Sequence, residues 1–209
     1  MTTAIIDIGI GNLHSAEKAF VRMAEGRQAI HVTSDPEAVR RADRIVLPGD
    51  GAFPAVRRAL AAVPGLEEAI LEAARAGKPL FGICVGMQLL ATVGHEYETV
   101  EGLGLIPGEV VRIEPADPRM KVPHMGWNDL VVDGAHPVLD GVATGDHAYF
   151  VHSWQFRVAD LRDRLAHMDY GGAVTAIVGR DTVIATQFHP EKSQATGLRI
   201  IQNFLNWTP

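Results

Sequence analysis

The 209-residue sequence predicts an α/β protein with a mostly parallel central sheet covered by helices on both faces, and a smaller antiparallel extension in the C-terminal half. Two observations predict it. In the first hundred residues short apolar runs alternate with amphipathic stretches at helical spacing, as expected for strands buried on both sides and joined by crossover helices. After Gly108 the pattern changes to short β-branched runs that follow one another through turns, as antiparallel pairing requires.

The elements follow in order. Residues 4–8 form an apolar strand, a glycine turn follows, residues 14–23 are helical, and residues 29–33 complete a β-α-β opening. Residues 36–41 read as a short helix, and residues 44–47 as a strand ending at the turn Pro48-Gly49-Asp50-Gly51. Helical patterns cover residues 52–60 and 66–76, with Gly77 as the stop, before the strand at 80–83. Further strands are expected at 108–112, 130–132, 148–151, 173–178 and 183–186, and a helix over 194–207 closes the chain. The length suits a single domain over residues 1–209.

Composition excludes several function classes. A net charge of −6 with no clustered Lys/Arg run argues against nucleic acid or an acidic membrane surface as partner. No apolar run reaches the roughly 18 residues of a membrane span. The N-terminal stretch lacks a basic segment, and Asp7 interrupts its apolar run too early for a signal peptide. One cysteine allows no internal disulfide, so a reducing compartment, most simply the cytoplasm, is expected.

That cysteine carries the chemistry. Gly82-Ile83-Cys84-Val85-Gly86 sets it between two glycines after an apolar strand, the arrangement of a nucleophile on a sharp strand-to-helix turn. A helix opening at Val85 aims its N-terminal amides at the sulfur. Far downstream a strand runs into His189-Pro190-Glu191, where extended backbone brings His189 and Glu191 to one side. The carboxylate then orients the imidazole, and the imidazole serves the sulfur as a Cys84-His189-Glu191 triad. Alone, a buried cysteine is usually a small hydrophobe and a His-Pro pair a turn; the pairing of the two motifs carries the inference.

A thiolate attacking a carboxamide builds up an oxyanion that needs fixed donors. The backbone of Gly49 and Asp50, and the amide of Val85, are the candidates. Gly9-x-Gly11 after the first strand is not a dinucleotide fingerprint, because the third glycine position falls at His14. His14, His31, His95, His136, His147 and His167 show no metal-ligand spacing, and neither a metal nor a cofactor is expected.

At these residues the sequence resembles the class I glutamine amidotransferases, and within them the histidine-biosynthesis branch. The resemblance covers nearly the whole chain. It rests on Asp7-x-Gly9-x-Gly11-Asn12-Leu13, Leu47-Pro48-Gly49-x-Gly51-Ala52-Phe53, the Cys84 motif through Gln88, Pro123-His124-Met125-Gly126-Trp127-Asn128, Tyr149-Phe150-Val151-His152-Ser153, and Gln187-Phe188-His189-Pro190-Glu191-Lys192-Ser193. It implies that glutamine is hydrolysed and its ammonia passed to a (β/α)8-barrel cyclase subunit in a heterodimer, for synthesis of imidazole glycerol phosphate and an aminoimidazole carboxamide ribotide. It also implies glutamine-binding roles for Gly51, Gln88, Glu96, His152 and Ser153, and partner-facing or gating roles for Asn12, Trp127, Tyr149 and Lys192. Glu96 also reads as a surface carboxylate, and Trp127 as a partly buried core aromatic. Three positions depart from the family pattern: Ile8 and Trp154 where aromatic and tyrosine side chains are common, and Asp50 where the turn is usually apolar. A carboxylate turned inward at Asp50 would oppose an oxyanion, so its side chain is expected to point away.

Other readings stay open on the residues alone. They are an amidotransferase subunit serving a different synthase, a stand-alone γ-glutamyl hydrolase of the same fold, and a catalytically silent regulatory subunit.

Overall fold

The computed structural model describes residues 1–11 and 13–209, so Asn12, expected to face a partner, lies outside the described residues. The strands are β1 (Thr2–Ile6), β2 (Ala29–Thr33), β3 (Arg44–Gly49), β4 (Leu80–Cys84), β5 (Val93–Gly94), β6 (Val100–Glu101), β7 (Gly108–Arg112), β8 (His124–Asp129), β9 (Val131–Val132), β10 (His147–His152), β11 (Trp154–Val158), β12 (Arg164–Asp169), β13 (Ala173–Arg180) and β14 (Val183–Thr186). The α-helices are α1 (Leu13–Ala24), α2 (Pro36–Arg41), α3 (Phe53–Ala61), α4 (Leu66–Arg75), α5 (Val85–Gln88) and α6 (Gln194–Asn206).

The main sheet has eight strands in the order β2-β1-β3-β4-β14-β13-β12-β9. The first five run parallel, and the last three continue the same sheet antiparallel. A four-stranded sheet, β11-β7-β5-β6, and a two-stranded ribbon, β10-β8, form the remainder of the antiparallel part. The parallel strands are nearly continuous apolar runs, as two-sided burial demands: β4 is buried at every position.

The helices cover both faces. On one, α1 turns Ala16, Ala19, Phe20 and Ala24 inward, and Phe20 meets Phe81 of β4 and Phe204 of α6 at ring-centroid distances of 6.1 and 6.4 Å. Helix α2 packs on α4, and α4 on α3. Asp35 caps α2 by accepting from Glu37 N–H at 3.0 Å, with Pro36 in the first turn. No described helix is long and apolar enough to cross a membrane.

Several expected bounds shift. The first strand ends at Ile6 rather than residue 8, because the chain turns at Asp7, whose carboxylate accepts from Gly9 N–H. Only Val131 and Val132 of the expected 130–132 strand pair. Strands β5, β6, β8, β11 and β12 have no counterpart in the sequence reading. In β8 the exposed positions Met125, Trp127 and Asp129 alternate with the less exposed His124, Gly126 and Asn128. The apolar Met125 and Trp127 lie on the exposed face and the polar His124 and Asn128 on the covered face, so residue type does not reveal the strand and its identity comes from pairing with β10.

Candidate active site

Strand register assembles the site. β4 lies between β3 and β14, all three parallel, so their carboxyl ends open on one edge. Gly49 pairs directly with Cys84, and Thr186 with Ile83, which carries His189 to the mouth beside the sulfur.

Cys84 closes β4 with φ 55° and ψ −113°, a region side chains rarely enter. Such backbone stores on the order of 1–3 kcal/mol and persists only where the surroundings over-determine it. The nearby glycines provide that determination by allowing close approach. A Cβ on Gly86 would meet Leu47 O at 1.8 Å, one on Gly82 would meet Gly86 O at 2.8 Å, and one on Gly49 would meet Gly86 N at 2.6 Å. The elbow is therefore pressed against β3. Helix α5 is a single turn of four residues, so its dipole contributes less than the sequence reading expects. The electrostatic partner of the sulfur is His189.

His189 and Glu191 meet, but not by strand alternation. Pro190–Lys192 is a 3-10 turn, in which proline pre-sets the backbone, and His189 Nδ1 lies 2.9 Å from Glu191 Oε1. Burial works against a charged ring. Hydrogen bonding and charge from Cys84 and Glu191 outweigh it and push the His189 pKa up to about 10. Helix α6 braces this turn: a Cβ on Gly197 would come within 1.9 Å of Pro190 O.

A cavity of about 240 Å³ opens over the sulfur, lined by Asp50, Gly51, Cys84, Val85, Gln88, Glu96, Pro123, Val151, His152, Ser153 and Trp154. It brings together all five residues expected to bind glutamine, and is small enough to suit a free amino acid. Glu96 is buried rather than a surface carboxylate, with Oε2 accepting from Phe53 N–H at 2.7 Å. It thereby satisfies the start of α3, where Ala52 offers no side-chain cap. His152 donates from Nδ1 to Trp154 O at 2.8 Å, and burial pushes its pKa down to about 4, leaving a neutral ring. Asp50 is exposed, its stem beside Gly11: a Cβ on Gly11 would lie 3.4 Å from Asp50 Cβ.

Two residues to which the sequence reading gives no role in the site take part in it. Trp154 O accepts from both His152 and Gln88, the latter at 3.3 Å, so a backbone carbonyl anchors two cavity side chains. Gln187 is fully buried with Nε2 3.8 Å from Cys84 Sγ. Its only sequence signal is its place two residues before His189.

The residues expected to face a partner stand apart from the cavity. Trp127 and Tyr149 are paired across the β8-β10 ribbon, with ring centroids 5.8 Å apart. Trp127 is 47% exposed and Met125 64%, so Trp127 is a surface aromatic and not a core one. Lys192 is exposed on the His189 turn. Ser193 stitches ribbon to turn: its hydroxyl donates to His189 O at 2.7 Å and accepts from Tyr149 N–H at 3.0 Å. A larger hollow of about 810 Å³ between Val132 and Val142 contains none of these residues. The described residues contain no cluster of three or more His, Cys, Asp or Glu side chains that could hold a metal. His136 instead caps Val138 N–H, and His147 and His167 pair with Asp129 and Asp133.

A cysteine on a sharp elbow closing a parallel strand, with a histidine and a carboxylate at the end of its neighbour, is the arrangement that suits acyl transfer through a covalent intermediate. The family model described as glutamine amidotransferase class-I matches residues 4–207, and the chain belongs to that family. Within it, the chain is similar over its whole length to curated proteins named imidazole glycerol phosphate synthase subunit HisH. These include those of Ruegeria pomeroyi at 63% identity and Cereibacter sphaeroides at 64%, each match covering 100% of both chains. That of Azospirillum brasilense is 51% identical over 99% of this chain and 98% of the relative. Among solved structures, one titled "Crystal structure of glutamine amidotransferase" aligns with a TM-score of 0.74 at 21% identity, covering 98% of this chain and 97% of that one. PurLQS from Thermotoga maritima aligns at 0.72 and 19%, with the same coverages. These two establish likeness of fold.

Proposed function

We propose that the chain is the glutamine amidotransferase subunit of imidazole glycerol phosphate synthase in histidine biosynthesis, hydrolysing glutamine through Cys84, His189 and Glu191. The observation that carries this is the strained Cys84 elbow at the end of β4, with His189 at the end of the neighbouring strand held by the buried Glu191 carboxylate at 2.9 Å.

The cavity supports a sequence of steps. Glu96 receives the substrate's ammonium group, and Gly51, Gln88 and the His152-Ser153 segment orient the rest of the molecule. The Cys84 thiolate attacks the γ-carboxamide carbon. The oxyanion is taken up by backbone N–H groups of the Gly49-Asp50 turn and Val85. His189 gives its proton to the departing nitrogen, ammonia leaves, and a thioester remains. Water, deprotonated by His189, then releases glutamate and restores the thiolate.

Free ammonia is largely protonated near neutral pH and is then no nucleophile, so a docked acceptor enzyme has a physical rationale. The acceptor is a cyclase subunit of (β/α)8-barrel fold in a heterodimer, met by the exposed Met125 and Trp127, the half-buried Tyr149 beside them, and Lys192. The working unit is one domain over residues 1–209, in the cytoplasm.

The test measures glutamate release by the purified chain alone, then with a histidine-pathway cyclase and its ribotide ligand. Strong stimulation by cyclase and ligand together is expected. High activity alone without stimulation would favour a free hydrolase, and no activity under either condition would favour a silent subunit.

A further inference from the structure

Gln187 has no side-chain role in the reaction as proposed above, yet it is fully buried immediately behind the nucleophile. Its Nε2 lies 3.8 Å from Cys84 Sγ, within donor range of a sulfur acceptor, and its Oε1 accepts from Gln88 Nε2 at 3.0 Å. Gln88 in turn donates to Trp154 O at 3.3 Å and lines the cavity where the substrate amide would sit.

The direction of this chain is fixed from its far end. Trp154 O is a carbonyl that only accepts, so Gln88 must present its amide nitrogen there. That nitrogen's second hydrogen points at Gln187, which must answer with its oxygen. Only the Gln187 nitrogen is then left for the sulfur. The backbone holds the residue in place as well, because Gln187 N–H donates to Ala176 O at 2.8 Å.

We propose that Gln187 is a positioning residue for the nucleophile, donating a hydrogen bond to the Cys84 sulfur and tying it through Gln88 to the substrate cavity. A donor at the sulfur favours its anionic form and limits the directions in which it points, complementing His189 from a second side. The same link joins the side chain that meets the substrate to the atom that attacks it. The inference rests on Cys84 being the nucleophile of the proposed reaction.

The test is the pH dependence of iodoacetamide alkylation of the full chain, whose single cysteine makes the signal unambiguous. Gln187→Met keeps the volume and removes the donor. Its alkylation midpoint is expected to rise by about one pH unit, and its rate at neutral pH to fall about ten-fold, with little change in melting temperature. Gln88→Met, which frees Gln187 without touching it, is expected to shift the midpoint the same way by less. A Gln187→Met profile superimposed on the native one overturns the inference. If Gln187→Met does not fold, an unshifted Gln88→Met profile overturns it equally. A native chain alkylated no faster than free cysteine overturns the proposed reaction itself, and the role of Gln187 with it.

Discussion

Glu191 Oε1 meets His189 Nδ1 at 2.9 Å across a turn with only Pro190 between the two residues, while Glu191 Oε2 is buried with no hydrogen-bond partner among the described residues. Glu191 also lines a cavity of about 20 Å³ shared with Gly11, Gly49 and Asp50, room for about one water molecule. Among the described residues the carboxylate is thus positioned by one bond, to the His189 ring.

Glu191→Gln keeps the shape and removes the charge. An amide nitrogen turned to the ring would also favour the wrong tautomer. Glutaminase kcat is expected to fall by about 10²–10⁴-fold with the melting temperature within a few degrees of native. Turnover near native would remove Glu191 from the triad.

Cys84→Ala separates the two halves of the reaction. In the complex it is expected to abolish glutamine-dependent synthesis while ammonia-dependent synthesis by the cyclase persists. Loss of both would sink the proposed division of labour.

Gly86→Ala places a methyl group 1.8 Å from Leu47 O, a clash with backbone that cannot rotate away. A loss of about 3 kcal/mol or more is expected, read as a fall in melting temperature of roughly 10 °C. Gly77→Ala is the control. Gly77 has φ +75° with nothing within 4 Å of a built Cβ, so only the conformational cost of about 1 kcal/mol applies. Equal effects at the two sites would contradict the close-packed elbow.

The buried ring of His152 sets the acid limit of stability. Unfolded, it takes up a proton near pH 6.5; folded, not until about 4, so the unfolded state binds more protons between those values. Stability is complete above about pH 6.5 and falls as pH drops toward 4, by up to about 3 kcal/mol. Burial shifts His124 in the same direction. Melting temperatures measured from pH 4 to 8 check this, and His152→Gln is expected to flatten the acid limb. The raised His189 acts at the other end: its proton, needed by the leaving nitrogen, is retained as pH rises until about 10.

Trp127 is the exposed aromatic of the ribbon proposed to meet the cyclase. Trp127→Ala is expected to weaken cyclase binding by about 2 kcal/mol, roughly 30-fold, measured by calorimetric titration. Unchanged affinity would move the interface elsewhere.

The apolar runs of β2, β4, β7 and β14, the span of α2 and the stop at Gly77 were legible because each is written locally, in periodicity and turn residues. The Cys84 elbow and the His189-Pro190-Glu191 turn were legible for the same reason, and the family resemblance added the cavity residues. Strands β8, β11 and β12 were not, since what makes them strands is a partner distant in sequence: His124 opposite His152, Trp154 opposite Arg112, Asp169 opposite Ala173. That the single cysteine is flanked by glycines follows from the sequence alone. That Gly86 is glycine to admit Leu47, that Glu96 is buried under α3, and that Gln187 reaches the sulfur were decided by the parallel pairing of β4 with β3 and β14, because close approach between distant segments leaves no periodic trace in the chain.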